Sequence, residues 1–216
     1  MKNLSPHSVS NVKILLFYAC LLPFARLLAD GFAGRLGPDP VADITHTTGI
    51  WALRLLLVML AFTPVIKLTG WHWLARLRRT VALYAFFYAC LHLSSYLLFE
   101  QSFDWPEIGK DIGKRPYISV GFASFALMVP LAATSTNAMM RRLGGRNWQR
   151  LHRLSYLIAA GAVLHYFWLV KQDIRLPSLY ALALTVLLCA RMFRRGRKPI
   201  TSVSFGKPAN ARGGCP

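Results

Sequence analysis

Two histidines lie inside long apolar runs of the sequence. His92 is in residues 81–99, and His165 is in residues 148–171, which the pattern predicts as one long apolar helix. Ionisable side chains are costly to place in lipid, so each of them in such a run is a candidate functional residue whose partner has to be found. Imidazole in an apolar, aromatic-lined helix is a common ligand of haem iron. Haem ligation is therefore the first candidate chemistry.

The two histidines match in depth if both runs cross the bilayer in the same direction. His92 lies seven residues before Phe99, and His165 lies five residues before Val170, so both rings fall in the outer half of the membrane. This match permits one bis-histidine haem b between the third and fifth apolar runs. A hydrogen bond to a neighbouring helix is the alternative for any single histidine in a membrane.

His152 is the third candidate ligand. It precedes His165 by thirteen residues, which is roughly 20 Å along an ideal helix, too far for the two to share one iron. A second haem would need an inner partner on the third run near positions 78 and 79, where the sequence has Arg78 and Arg79. One haem is therefore predicted. For His152 two alternatives remain: a second haem with an unusual partner, or contact with another cofactor near the cytoplasmic surface.

Basic side chains mark two further candidate contacts. Arg54 lies within the second apolar run, roughly 12 Å deeper than His46, where an arginine needs an anion or a route to the interface. A haem propionate is the candidate anion, and snorkelling is the alternative. Arg78 and Arg79 belong to a basic cluster that suits a phosphate, as in FMN, or anionic lipid. Topology and lipid contact explain most of the basic residues in this cluster.

The elements that must position these residues are six apolar runs. The chain is 55% hydrophobic and 16% charged, with a mean hydropathy of +0.39. Runs of about 20 apolar residues are long enough to cross a bilayer as helices. We therefore predict an all-α fold, a polytopic membrane helix bundle with six transmembrane helices at residues 12–28, 47–68, 81–99, 117–134, 148–171 and 178–192.

The charged residues predict the orientation. Arginines and lysines crowd the loops on one side of the six runs, and all eight acidic residues fall on the other side. Because an excess of Lys and Arg marks the cytoplasmic side, both termini are predicted to be cytoplasmic. Residues 1–11 form the N-terminal segment, residues 12–193 the transmembrane domain, and residues 194–216 a basic, disordered tail. The net charge of +18 is thus assigned to topology and to contact with membrane lipids, and no nucleic-acid partner is predicted.

Several short motifs carry a resemblance to a known family. Arg78 and Arg79 occur together with GPDPVAD (37–43), THTTG (45–49), LHL (91–93), TST (134–136), WQRLH (148–152) and LHY (164–166). In this order and spacing they strongly resemble the MsrQ family, formerly called YedZ, within the ferric-reductase-like transmembrane superfamily. The resemblance covers the chain up to Met192.

The resemblance implies a function that hydropathy and spacing do not supply. Members of the family are haem-binding membrane subunits of the bacterial methionine sulfoxide reductase system. They bind haem b and FMN and pass electrons from a cytoplasmic flavin reductase or the quinone pool to MsrP. This periplasmic molybdopterin subunit reduces oxidised methionines, so the chain would be an electron-transfer subunit and not the catalytic one. The expected location is the bacterial cell inner membrane, as a multi-pass protein.

The resemblance also ranks the histidines and leaves competing functions to be tested. His92 and His165 become the leading haem ligands, and His152 is also implicated. The superfamily often has two histidines on its third span, whereas this sequence has only His92 there, which argues for a single haem. One competing hypothesis is a non-redox membrane anchor for a periplasmic partner. A transporter or channel is disfavoured because the spans hold few carboxylates.

Overall fold

The computed structural model describes residues 6–170 and 173–192, and these residues form α-helices joined by short connections, with no β-strand among them. The predicted tail, residues 194–216, and the first five residues of the predicted N-terminal segment lie outside the described residues. A 3₁₀ turn, His72–Arg76, leads into the third helix, and a π-helical turn, Tyr96–Glu100, continues it. The helices are α1 (Pro6–Phe32), α2 (Pro40–Thr69), α3 (Arg78–Ser95), α4 (Trp105–Lys114), α5 (Pro116–Ala133), α6 (Asn137–Leu143), α7 (Gly145–Leu151), α8 (Leu154–Leu169) and α9 (Arg175–Met192).

Four helical segments of the described chain are long and apolar enough to cross a membrane: His7–Phe32, Pro40–Thr69, His72–Glu100 and Pro116–Ala133. The predicted all-helical, polytopic architecture is therefore confirmed. Helix α8 has 16 residues, which is roughly 24 Å of helix and shorter than a typical span, and α9 has 18. Six spans and cytoplasmic termini stay predictions.

The prediction of one continuous helix over residues 148–171 is wrong. The chain turns at His152 and Arg153, which separates the short α7 from α8. The backbone N–H groups of Arg153, Ser155 and Tyr156 each bond to the carbonyl three residues earlier, which tightens the chain into a turn. The indole of Trp148 donates to the Thr134 carbonyl oxygen at 2.9 Å and ties α7 to the end of α5.

Two connections that the sequence predicted as loops contain helices. Helix α4 lies between residues 100 and 115, where the Asp104 carboxylate accepts a hydrogen bond from the Glu107 N–H and Pro106 occupies the first turn. Helix α4 buries Ile108 on one face. Helix α6 likewise lies between the predicted helices 117–134 and 148–171, and α7 begins there, at Gly145. These helices are too short to carry the hydropathy signal by which the longer ones were found.

Two helix pairs form the frame of the bundle. Helix α2 packs along α3, and α5 packs along α8, with Val81, Ala85 and Ala159 fully buried between helices. At α1 the buried Tyr88 hydroxyl accepts from the Phe24 N–H at 3.0 Å and donates to the Cys20 carbonyl oxygen at 2.8 Å. It thereby inserts into the α1 hydrogen-bond ladder next to Pro23. The two pairs hold His92 on α3 and His165 on α8.

Candidate cofactor cavities

His92 and His165 face each other across the bundle. Their ring centroids are 6.1 Å apart and the ring planes are inclined at 77°. Their matched depth permitted this proximity, and the structure shows it. An iron between two imidazoles, with each nitrogen at about 2 Å, requires ring centres about 6 Å apart, because each ring adds its own radius of about 1 Å. The spacing of this pair fits a bis-histidine haem.

Backbone carbonyl groups orient both rings. The Nδ1 atom of His92 lies 2.9 Å from the Thr45 carbonyl oxygen on α2, and the Nδ1 atom of His165 lies 2.7 Å from the Tyr117 carbonyl oxygen on α5. A carbonyl oxygen can only accept, so Nδ1 carries the proton in each ring. The Nε2 atom of each neutral imidazole is then the nitrogen that can bind a metal. This second contact is the one that metal-ligating histidines usually make.

Two glycines give the rings their room. A Cβ atom on Gly49 of α2 would lie 3.0 Å from the His92 ring, and a Cβ atom on Gly121 of α5 would lie 2.8 Å from His165 Nδ1. Both values are shorter than an ordinary van der Waals contact, so a side chain at either position would displace the ring. Each glycine lies on the same helix as the carbonyl that orients the ring. Gly49 belongs to the THTTG motif, whereas nothing in the sequence marked Gly121, because an isolated glycine in an apolar run has no distinctive pattern.

The rings line a cavity of about 440 Å³, which we call the histidine-pair cavity. Its walls are mostly apolar, with Leu53, Phe125 and Met128 among the lining residues. Among the described lining residues, Glu100 is the only carboxylic acid and Arg115 the only arginine or lysine. His46 also lines this cavity. The size and apolar character suit a largely buried planar cofactor.

A second cavity of about 840 Å³ lies beside the first, and we call it the basic cavity. The two share the lining residues Leu56, Met128 and Ile158, so an apolar wall separates them. The described lining of the basic cavity contains no carboxylate. Its basic lining residues are Lys67, Arg78, Arg79, His152, Arg153 and Arg191.

His152 belongs to the basic cavity and its ring is held by two neighbours. The Trp148 ring stacks on it with centroids 4.0 Å apart, and Thr134 Oγ1 lies 3.3 Å from its Nε2. The Thr134 hydroxyl donates to the Pro130 carbonyl oxygen at 2.6 Å, so it accepts the proton from His152 Nε2. His152 therefore has the opposite tautomer from His92 and His165, with Nδ1 left as its basic nitrogen. The ring nitrogen without a proton is thus Nδ1 in His152, whereas it is Nε2 in His92 and His165.

The pattern LHxxSY occurs twice in the sequence, at residues 91–96 and 151–156, and it has a local structural role. Ser95 Oγ donates to the His92 carbonyl oxygen, and Ser155 Oγ donates to the His152 carbonyl oxygen, both at 2.8 Å. Both serines are 3% exposed. Each serine thus satisfies its own hydroxyl against the backbone three residues earlier, which lets a polar residue pack in an apolar bundle.

The predicted arginine sites are placed differently from one another. Arg54 is not among the residues that line either cavity: its Nε donates to the Tyr180 hydroxyl at 2.9 Å, and its guanidinium lies 5.1 Å from the Trp51 ring centre. Arg79 donates to the Asn137 side-chain oxygen at 3.0 Å. Arg78 is half-buried in the basic cavity, with Arg191 of α9 as a neighbour. Arg191 was not among the candidate residues that the sequence indicated, and only the structure places it in the lining of the basic cavity.

Fold and site together define a class: an all-helical, multi-pass membrane protein with a paired-histidine cavity between its helices. The family model for the ferric reductase like transmembrane component matches residues 48–163, more than half of the chain. The matched region runs from α2 into α8, so it includes His92 and His152 and ends just before His165.

The most similar proteins narrow the family further. The chain is 45% identical over 212 residues to a protein of Herminiimonas arsenicoxydans, covering 97% of both chains. It is 48% identical to one of Ralstonia nicotianae, covering 88% of both, and 54% identical to one of Xanthomonas campestris pv. campestris, covering 82% of both. All three bear the name protein-methionine-sulfoxide reductase heme-binding subunit MsrQ. The chain belongs to the MsrQ family, within the ferric-reductase-like transmembrane family, as the sequence motifs predicted.

Proposed function

We propose that this chain is the membrane subunit that carries electrons on a haem b to a periplasmic methionine sulfoxide reductase. The observation that carries the proposal is the His92–His165 pair, with ring centroids 6.1 Å apart and both Nδ1 atoms bonded to backbone carbonyl oxygens. The relatives are named as heme-binding subunits of protein-methionine-sulfoxide reductase, which supports the cofactor and the system it serves.

In this proposal His92 and His165 hold the iron through their Nε2 atoms. A bound haem would supply a one-electron couple between ferric and ferrous iron. The chain's own contribution is to fix both rings before the cofactor arrives, through the Thr45 and Tyr117 carbonyl groups. Two neutral imidazoles with their Nδ1–H groups hydrogen-bonded are stronger ligands than free imidazoles. The apolar wall of the cavity excludes water and so limits the reorganisation that accompanies a change of charge.

The basic cavity would receive the electrons from the cytoplasmic side. We propose that it contacts FMN or, as the alternative, a second haem, with His152, Arg78 and Arg79 among the contact residues. The stacked Trp148–His152 pair and the cluster of cations support a planar, anionic ligand there. A cytoplasmic flavin reductase or a quinol would be the donor, and the bacterial inner membrane the location.

The proposed acceptor is the periplasmic molybdopterin subunit MsrP. Its docking surface would include the loops around residues 30–43 and 100–115, which carry most of the acidic side chains. The second of these loops is structured, because α4 forms there and Asp111 accepts from Gln101 Nε2 at 2.9 Å. Lys110 donates to Glu107 on the exposed face of α4 and holds the pKa of that carboxyl below its ordinary value.

The test of the haem assignment is a reduced-minus-oxidised absorption spectrum, with haem quantified per polypeptide. We expect a b-type spectrum in the wild type that is lost in His92→Ala and in His165→Ala, while both variants stay in the membrane. His72→Ala is the matched control, because His72 is exposed and lines neither cavity. Full haem content in both of the cavity variants would refute the ligand assignment.

The same measurement on His152→Ala separates the alternatives at the basic cavity. An unchanged haem stoichiometry supports a single haem, and loss of part of the signal supports a second one. A colourless wild-type protein, expressed with an adequate haem supply, would leave the non-redox membrane anchor as the better function.

A further inference from the structure

The basic cavity brings several like charges together. Lys67, Arg78, Arg79, Arg153 and Arg191 line it, and the described lining residues include no Asp or Glu. Charges that share a partly buried space repel one another more strongly than in water, because the local dielectric constant is lower. A cluster of this kind is therefore more stable when an anion is bound among its members.

Arg78 and Arg191 are the two arginines of the basic cavity on which the argument for a bound anion depends. They come from α3 and α9, and both line the basic cavity. The guanidinium of Arg191 lies 4.6 Å from the Tyr156 ring centre, and its Nη1 is buried without a hydrogen-bond partner among the described residues. An unsatisfied buried donor is uncommon and costly in a folded protein. An anion between the two guanidinium groups would remove both the repulsion and the unsatisfied donor.

We propose that Arg78 and Arg191 together bind the phosphate of a ligand whose apolar body lies in the basic cavity. Guanidinium groups match phosphate because their planar fork forms two parallel hydrogen bonds to its oxygens. The ligand is larger than inorganic phosphate, because the cavity of about 840 Å³ continues along Leu83, Phe86 and Leu131. This inference rests on the proposed function in taking the cavity as a cofactor site, and it adds α9 to that site.

The geometry also separates these two arginines from Arg79. The Arg79 guanidinium already donates to Asn137, and the side chain is exposed. The phosphate is therefore held between α3 and α9 inside the cavity, and Arg79 remains at its rim. Two sources supply this chemistry: a phosphorylated flavin, or the headgroup of an anionic phospholipid.

The flavin arm of the test compares FMN with riboflavin, which differ by the phosphate alone. Binding is measured by the quenching of flavin fluorescence on the purified full-length protein. We expect the wild type to prefer FMN, and Arg78→Gln and Arg191→Gln each to reduce that preference roughly tenfold or more, since each removes a charge-assisted contact. Arg150→Gln is the matched control, because Arg150 is exposed and lies outside the cavity lining.

The lipid arm uses nanodiscs of phosphatidylglycerol mixed with phosphatidylcholine, and native mass spectrometry counts the lipids retained on the released protein. If the ligand is a lipid, wild type and Arg150→Gln retain phosphatidylglycerol, and both cavity variants lose it. A loss specific to Arg78→Gln and Arg191→Gln in either arm supports the proposal and identifies the source. Wild-type behaviour of both variants in both arms overturns it.

The result of this test is kept separate from loss of folding and from haem binding. Variants are compared only if they elute as the wild type does in size-exclusion chromatography. If Arg191→Gln aggregates, Arg78→Gln carries the test alone, because both guanidinium groups are required. Neither arm uses a haem signal, so a colourless wild type would refute the haem proposal and leave the phosphate test unaffected.

Discussion

Replacing Gly121 by alanine should weaken haem binding through the position of His165. The added Cβ would lie 2.8 Å from His165 Nδ1, whereas ordinary contacts begin near 3.4 Å. The ring must therefore move by about 0.6 Å, away from a carbonyl oxygen now at 2.7 Å. Overpacking of this kind costs about 1 to 3 kcal/mol. If that cost falls on the bound state, haem affinity decreases by about 5- to 150-fold.

The assay combines haem content per polypeptide with the low-spin signal in electron paramagnetic resonance. We expect Gly121→Ala to lower the haem content and to shift or broaden the low-spin signal, because the ligand nitrogen is displaced. Gly113→Ala in α4 is the control, since its added Cβ would meet no atom within 4 Å. Wild-type haem content and an unchanged signal in Gly121→Ala would show that the ring position at His165 is not critical, and would refute this reasoning.

Three other substitutions test side-chain contacts outside the lining of the histidine-pair cavity. Tyr88→Phe removes the hydroxyl that bonds to α1 and should destabilise the protein by about 1 to 3 kcal/mol. The melting temperature should fall accordingly, whereas Tyr18→Phe, at an exposed position, should change it little. Arg54→Gln should leave the haem midpoint potential unchanged, because this side chain lies outside the cavity lining; a clear fall in potential would instead support the propionate contact. Asp43→Ala removes the carboxylate that accepts from the Gly37 N–H at 2.7 Å, so hydrogen exchange in residues 33–39 should become faster, and unchanged exchange would contradict this role.

Much of this protein follows from hydropathy, because lipid requires long apolar segments and leaves little choice of structure. The apolar runs at residues 47–68, 81–99 and 117–134 all correspond to helices that can cross a membrane. The depth of His92 and His165 follows from the constant rise per residue, so their match in depth could be predicted before any packing was known. The short motifs were enough to predict the MsrQ family.

Other features depend on how the helices rotate and pack, which hydropathy does not specify. The tautomers of His92 and His165 depend on the Thr45 and Tyr117 carbonyl groups, each more than forty residues away in the chain. The closeness of Arg78 and Arg191 likewise depends on α9 packing back against the bundle. The break at His152 depends on side-chain bonds to α5 that an apolar pattern does not reveal. Membrane insertion thus decides which segments are the long apolar helices, and contacts between distant helices decide what their side chains can do.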